Sequence, residues 1–288
     1  MKIYTGKISI SVLFVFIQTV LYTAFLAIDL TNGSIGLSVL FKYSIIILCF
    51  CYALFAYNKS TFFLLQAALF LTVISDLFIL ILDYYFYGVL TFILVQELYC
   101  LRLTIIKVSK SKDDANKGSM EGSKAGSKKV SKKVSKAGSK KGIKIGVSEE
   151  LKECRTDIIK KAGYAYTYRL LLQITIAAVV CFLVSVIGVA LEGLVIASVF
   201  YFVCISTNVF TAFSVAGMEP KSRGNLIYAI GMLLFLLCDI NVGVFNLSGF
   251  ISLPEHLYEL LYSASSILMW TFYAPAQVLI AISSRYEK

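Results

Sequence analysis

Eight long apolar stretches constrain this chain more than any other feature of its sequence. A transmembrane helix needs roughly 20 mostly apolar residues, because each residue rises about 1.5 Å through a hydrocarbon layer about 30 Å thick. Continuous apolar runs exclude a membrane barrel, whose strands alternate in polarity. The sequence therefore predicts an all-α, polytopic transmembrane helical bundle of eight helices. The predicted spans are about 8–28, 35–56, 61–82, 86–106, 166–190, 193–215, 224–247 and 262–283.

Composition agrees with a protein that has the bilayer as its solvent. Hydrophobic residues make up 58% of the chain and charged residues 15%, whereas soluble domains have about half and about a quarter. The first apolar stretch is long and has no A-x-A-like cleavage pattern. We expect it to be a retained first span and not a signal peptide.

The net charge lies in one segment. Residues 107–161 hold 17 of the 27 basic and 7 of the 17 acidic residues, so this segment carries the whole formal charge of +10. Within it, 122–142 reads GSKAGSKKVSKKVSKAGSKKG, a low-complexity composition that predicts disorder. The chain then divides into a first membrane half (1–106, four helices), a basic low-complexity cytoplasmic loop (107–163) and a second membrane half (164–288, four helices).

Two functions of the basic loop are compatible with its composition. The simpler is a solvated loop that fixes the topology of the protein. The other is a tether to anionic lipid headgroups, at roughly 1 kcal/mol for each basic residue near the surface. No nucleic-acid partner is expected, because the loop lacks the interleaved aromatic residues that stack bases.

Lysine and arginine also predict the orientation. Basic residues mark the cytoplasmic side of short loops. Lys2, Lys59, Arg223 and Lys288 fall with the basic loop on one side of an eight-span arrangement, and the connections predicted for the other side contain no Lys or Arg. We therefore expect a cytoplasmic N-terminus, basic loop and C-terminus.

Several ionisable residues fall inside the predicted spans, where charge is costly and marks functional candidates. Arg102 and Arg169 lie near the cytoplasmic ends of their spans and are expected to snorkel to the headgroups. Lys42, Asp76 and Asp239 lie seven or eight residues from the outer ends of spans 2, 3 and 7. At 1.5 Å per residue, all three share a depth of roughly 10 to 12 Å.

Three interpretations of this layer remain open from the residues alone. Lys42 and one aspartate can form a structural salt bridge, which leaves the other carboxylate unexplained. The two aspartates can form an acid/base pair, because desolvation and a like charge favour a protonated second carboxyl. The polar residues can also line an ion or solute pathway. Glu97 in span 4 and Gln277 in span 8 are placed to line the same cavity from below.

A weak internal repeat relates the two aspartates. Asp76 and Asp239 each lie in the third span of a four-span half, and a glutamine follows one span later in each half, Gln96 and Gln277. Because each half has an even number of spans, the halves would be parallel repeats about an axis along the membrane normal.

Short motifs in most of the spans resemble the YhhN-type lysoplasmalogenase family of eight-span membrane proteins. The motifs are Phe41-Lys42, Ser75-Asp76-Leu77-Phe78, Tyr87-Gly88-Val89-Leu90-Thr91-Phe92, Glu97-Leu98-Tyr99, Gly231-Met232-Leu233-Leu234-Phe235 leading to Asp239, and Tyr273-Ala274-Pro275-Ala276-Gln277-Val278-Leu279-Ile280. The chain departs from the family where Cys238 replaces a usual serine and Glu97 replaces a frequent histidine. The basic insert between the halves is also atypical.

The resemblance implies hydrolysis of the vinyl ether bond of a lysoplasmalogen, a lysophospholipid, to a fatty aldehyde and a glycerophospho-alcohol. Asp76 and Asp239 would be the catalytic acid/base pair, without metal or cofactor. The implied substrate-binding residues are Lys42, Glu97, Tyr99, Tyr273 and Gln277. Two alternatives use the same polar cavity: a non-catalytic membrane lipid sensor or receptor, and a small-solute transporter.

Overall fold

The computed structural model consists of α-helices throughout the residues it describes. Its backbone is described at 2–55, 62–126, 140–188, 190–246 and 254–286, and its side chains at 10–55, 62–112, 156–188, 190–246 and 254–286. No strand occurs in these ranges. The helices are α1 (Lys2–Leu30), α2 (Ile35–Leu54), α3 (Phe62–Leu80), α4 (Tyr85–Gly126), α5 (Lys140–Val186), α6 (Gly193–Met218), α7 (Arg223–Phe245) and α8 (Glu255–Tyr286).

The prediction of eight apolar helices is confirmed. All eight have a segment long and apolar enough to cross a membrane, the architecture of a multi-pass membrane protein. Large apolar side chains such as Phe16, Phe63 and Phe210 are exposed on the outside of the bundle. Because lipid tails are as apolar as leucine, an outward-facing hydrophobic surface is the expected one for a bundle in a bilayer.

The helices next to the basic segment run further than the apolar spans. α4 continues from its span to Gly126, and α5 begins at Lys140. Helical backbone therefore occupies part of the segment that composition predicts to be disordered, since a preformed span provides the nucleus on which further turns are added. The predicted disorder otherwise concerns 127–139, which lie outside the described residues.

α8 begins seven residues before its predicted span, at Glu255, and contains Pro275. A proline inside a helix leaves the carbonyl four residues earlier without its N–H donor. That carbonyl belongs to Thr271, and the Tyr22 hydroxyl from α1 donates a hydrogen bond to it at 3.4 Å. A neighbouring helix thus satisfies the freed group, as required in a membrane interior.

The bundle is joined through α4 and α8. Each helix packs on its neighbour in sequence within α1–α4 and within α5–α8, while α4 also contacts α5 and α6, and α8 contacts α1 and α2. α7 and α8 pack tightly at Gly231, where a Cβ would lie 3.1 Å from the carbonyl oxygen of Ala276 and 2.9 Å from Cγ1 of Ile280. At the α3–α4 contact, the Ser75 hydroxyl donates to the Gly88 carbonyl at 2.6 Å.

The two ends of the bundle differ in charge. One end, here called the acidic end, holds Asp29, Asp83, Glu192 and Glu255 at or beside the helix termini. The opposite, basic end holds the continuation of α4, the start of the α5 span and the last turn of α8 with Arg285. The end of the α4 span meets the end of α6 there through a 2.7 Å ion pair between Lys110 and Glu219.

Candidate functional site

Asp76 accepts a hydrogen bond from a tyrosine on a distant helix. Its side chain lies on α3 and is 4% exposed. Its Oδ2 accepts a hydrogen bond from the hydroxyl of Tyr273 on α8, with 2.7 Å between the two oxygen atoms. The preceding Ser75 is bonded to the Gly88 carbonyl and does not compete for the carboxylate. A buried carboxyl group requires such a donor, because an unpaired one is costly in apolar surroundings.

Asp239 has a matching arrangement on α7. Its Oδ2 accepts a hydrogen bond from the Tyr201 hydroxyl of α6 at 2.8 Å. Asp239 is partly buried, whereas the Tyr201 side chain is only 9% exposed. Spans 5 and 6 contain no motif that would have singled out Tyr201 from the sequence. Its one signal is a tyrosine, with its polar hydroxyl, inside an otherwise apolar stretch.

Phe92 of α4 connects the two carboxylate sites. Its ring centroid lies 5.9 Å from that of Tyr201 and 6.4 Å from that of Tyr273. Phe235 contacts both Phe92, at 5.8 Å, and Tyr273, at 5.3 Å. Edge-on and tilted contacts of this kind fix ring orientation, so the aromatic cluster holds the two tyrosine hydroxyls toward their carboxylates.

The thiol of Cys238, one residue before Asp239, lies within electrostatic reach of both Asp239 and Asp76. The two aspartates thus occupy one region of the bundle. Neither carboxylate forms an ion pair with any Lys or Arg in the part of the chain whose side chains are described. The pair is therefore held by hydroxyl donors and aromatic walls and not by a cation.

Lys42 is bound elsewhere. Its ammonium forms a 2.7 Å ion pair with Asp29, whose other oxygen accepts the Ser38 hydroxyl at 2.5 Å. The ammonium also lies 5.5 Å from the Phe25 ring and 5.0 Å from the Trp270 ring. The structural salt bridge considered for Lys42 thus exists, but its partner is Asp29. α1 extends through Leu30, which puts Asp29 on a helix within reach of the flexible lysine stem.

Gln277 lies one helical turn from Tyr273 and is fully buried. Neither its amide nitrogen nor its amide oxygen has a hydrogen-bond partner among the described residues. Buried amides are normally paired, and an exception needs an explanation such as a water or a ligand. Gln277 therefore offers a donor and an acceptor next to the Asp76–Tyr273 pair.

Glu97 and Tyr99 face other parts of the bundle. Glu97 accepts hydrogen bonds from the Tyr166 hydroxyl at 2.9 Å and from the Cys204 thiol at 3.3 Å, on the side of α5 and α6. Tyr99 is fully buried and contacts the Tyr228 ring edge-on at 5.9 Å. The structure therefore brings together Asp76, Asp239, Tyr273 and Gln277, but not Glu97, Tyr99 or Lys42.

Of the two arginines expected to snorkel, Arg102 is held inside the bundle. It is 1% exposed, and its guanidinium carbon lies 4.5 Å from the centroid of the Tyr228 ring. This aromatic partner takes the place of a headgroup, because guanidinium is weakly hydrated and stacks readily on rings. Arg169 is only partly buried, and it donates to the Asn208 side-chain oxygen at 2.8 Å.

A chain of hydrogen bonds extends from Arg169 to Gln96. Asn208, which accepts from Arg169, donates to the side-chain oxygen of Gln96 at 2.9 Å. The Gln96 amide nitrogen is buried without a hydrogen-bond partner among the described residues, so the chain of hydrogen bonds ends at Gln96. The sequence singled out Gln96 only as the counterpart of Gln277, whose amide is also buried without a partner.

No three His, Cys, Asp or Glu side chains come together as a possible metal-binding group within the described residues. No family model matches the sequence, and no curated protein or solved structure is significantly similar to it. What the fold and site define is a class: a multi-pass helical membrane protein with two tyrosine-bonded carboxylates in its interior. The resemblance to the YhhN-type family rests on the short motifs alone.

Proposed function

We propose that this protein is an integral membrane hydrolase that cleaves the vinyl ether bond of lysoplasmalogen-type lysophospholipids. One observation carries the proposal. Two aspartates inside an apolar bundle each accept a tyrosine hydroxyl, and both tyrosine rings pack on Phe92. Enzymes whose reactions pass through an oxocarbenium-like transition state commonly use two carboxyl groups in one site.

The chemistry needs one protonated and one ionised carboxyl group. The protonated aspartate gives its proton to the alkene carbon that is not bonded to oxygen, and the alkene electrons move to form an oxocarbenium ion. The ionised aspartate stabilises this cation and takes a proton from water as the water oxygen bonds to the cationic carbon. Either Asp76 or Asp239 fits either role.

The hemiacetal formed in this way then breaks its bond to the glycerol oxygen. The aspartate that protonated the alkene takes the proton of the hemiacetal hydroxyl as the aldehyde forms, and the aspartate that took a proton from water gives it to the departing glycerol oxygen. One water is consumed in the whole reaction, and each carboxyl group returns to its starting protonation state. The products are a fatty aldehyde and a glycerophospho-alcohol, with no redox step and no cofactor.

The residues around the carboxylates suit positioning roles. Tyr273 would orient Asp76, and the Gln277 amide, which is buried without a partner, would hold water or a glycerol hydroxyl. Lys42 would contact the substrate phosphate by exchanging its partner Asp29 for it. Glu97 and Tyr99, which face away from the carboxylates, would influence the substrate only through the walls of the bundle.

The protein is also proposed to consist of two parallel four-helix halves, α1–α4 and α5–α8. The packing supports this. If α1–α4 are equated in order with α5–α8, every contact within one half has a counterpart within the other. The contacts between the halves also match, since α4–α6 corresponds to α8–α2 and α4–α5 corresponds to α8–α1. Phe92 and Gln96 then correspond to Tyr273 and Gln277, each pair four residues apart.

The orientation belongs to the proposal as well. The N-terminus, residues 107–163 and the C-terminus would face the cytoplasm, because the basic residues gather at that end of the bundle. Antibody binding to a C-terminal tag tests this: binding only after the cells are permeabilised supports it, and binding to intact cells contradicts it.

The function is tested with two substrates that differ only in the reacting bond. Purified protein is incubated with a lysoplasmalogen and, separately, with its alkyl-ether analogue, and released aldehyde is measured. Aldehyde from the vinyl ether alone supports the hydrolase. If a folded, monodisperse sample binds both lipids and releases no aldehyde from either, the site is a lipid-binding site of a sensor and the hydrolase proposal fails.

A further inference from the structure

A cavity lies at the basic end of the bundle, between α4, α5 and α6. It has a volume of about 540 Å³, and neither Asp76, Asp239 nor their tyrosine donors belong to its lining. Its lining includes four cationic side chains, Lys107, Lys112, Lys161 and Arg169, and no acidic one. We refer to it as the basic pocket.

Three of the four cations of the basic pocket lack a carboxylate partner among the described side chains. Lys112 forms a long contact of 4.0 Å with Asp157, and Arg169 donates to the neutral Asn208 amide. Neither Lys107 nor Lys161 has an ion-pair partner among the side chains that the structure describes. Four cations around one cavity repel each other, so an anion with several acceptor oxygens would be bound favourably there.

The level of the pocket relative to the membrane identifies the source of that anion. Its lining residues come from the last turns of the Tyr85–Lys112 span and the first turns of the Thr156–Val186 span. The ends of spanning helices lie at the level of lipid headgroups. Basic pockets between spanning helices at this level bind the phosphates of anionic lipids.

We propose that the basic pocket binds the phosphodiester headgroup of an anionic phospholipid. Lys107 and Lys161 bind the phosphate oxygens as point charges, and Arg169 adds a directed N–H donor from the inner wall of the pocket. Lys107, Lys112 and Lys161 belong to the basic segment 107–163, but they lie on α4 and α5 and outside the low-complexity stretch at 122–142. The proposal therefore places the lipid contact at the ends of the membrane helices. It does not depend on the proposed hydrolase activity.

Lipid retention by the purified full chain tests the proposal. The protein is titrated in detergent with phosphatidylglycerol or with phosphatidylcholine, and bound lipid is counted by native mass spectrometry. The test variant is Lys107→Gln with Lys161→Gln. The control is Lys110→Gln with Lys221→Gln, which removes the same charge from the same end of the protein outside the pocket. Thermal unfolding confirms that each variant is folded.

The wild-type protein and the control should retain one phosphatidylglycerol in preference to phosphatidylcholine. The test variant should bind phosphatidylglycerol on the order of 10-fold more weakly, because two cations near the phosphate are lost. An equal loss in the control, or no headgroup preference in the wild type, overturns the proposal. A third arm adds glycerol phosphate: if it displaces the lipid at equal concentration, the site takes a soluble phosphate and not a lipid.

Discussion

Tyr273 donates a 2.7 Å hydrogen bond to Asp76 across 197 residues of sequence, and so joins the last helix of the bundle to the third. Asp239 has its tyrosine donor on α6, the helix before its own. The two carboxylates thus have the same kind of partner from different directions.

Replacing Tyr273 by Phe removes the hydroxyl and keeps the ring against Phe92 and Phe235. A hydrogen bond to a charged group contributes about 1.5–3 kcal/mol, so we expect aldehyde release to fall by roughly 10- to 100-fold. Tyr262→Phe is the matched control, because this tyrosine is on the same helix and stacks on Phe245 at the acidic end. Equal rates for the two variants would exclude a role for the Asp76 hydrogen bond.

Gln277→Leu separates stability from function. The buried amide has no partner to lose, so the variant should unfold at the same temperature as the wild type or a higher one, while turnover falls. Gln18→Leu is the contrasting variant, because its amide donates to the Ile45 carbonyl at 3.1 Å, and it should lower the unfolding temperature. A destabilised Gln277→Leu protein would show that the amide is already satisfied.

Gly231→Val tests the tight packing of α7 on α8. The new side chain would meet backbone atoms of α8, at 3.1 Å from the Ala276 oxygen and from the Ile280 nitrogen. Overpacking of this kind costs about 1–3 kcal/mol, and it separates the helices that hold Asp239 and Tyr273. We expect a lower unfolding temperature together with lost activity. Gly243→Val on the same helix meets nothing within 4 Å and should be neutral in both measurements.

The ion pair of Lys42 and Asp29 is tested by a double-mutant cycle. Lys42→Met and Asp29→Asn each leave a polar or charged group without its partner, whereas the double variant removes both charges. We expect a coupling energy of about 0.5–3 kcal/mol in thermal or denaturant unfolding. Because Lys42 is also proposed to bind the substrate phosphate, KM for the lysophospholipid should rise in Lys42→Met but not in Asp29→Asn.

The sequence sufficed for the eight helices because spanning length and apolarity are local properties. The shared depth of Asp76 and Asp239 is a prediction from counting residues along each helix. Their partners did not follow. In a bundle surrounded by lipid, inward and outward faces are both apolar, so hydropathy gives little information on how each helix is rotated. Tyr201 therefore had no signal that distinguished it from other aromatic residues, and Phe92 was marked only as the last residue of a short motif.

Lys42 shows the same limit for charged residues. Its depth matched that of the aspartates, but a flexible four-carbon stem lets the ammonium reach the end of the helix, where it meets Asp29. Arg102 shows the opposite case. Its position near the end of a span predicted a side chain that reaches the headgroups, but the ring of Tyr228 on another helix keeps its guanidinium inside the bundle. Depth along a helix is readable from sequence, whereas the direction of a long side chain depends on neighbours that only the fold supplies.

Aldehyde release by the two aspartate variants tests the central claim most directly. Asp76→Asn and Asp239→Asn are compared with the control Asp83→Asn, in the turn before α4. Asp83 has a φ of 56°, a backbone conformation that asparagine also tolerates. All three should be inserted and folded, and both site variants should lose about 100-fold or more of the vinyl ether turnover, with the control at the wild-type rate. Near-normal turnover in either site variant would contradict the acid/base pair.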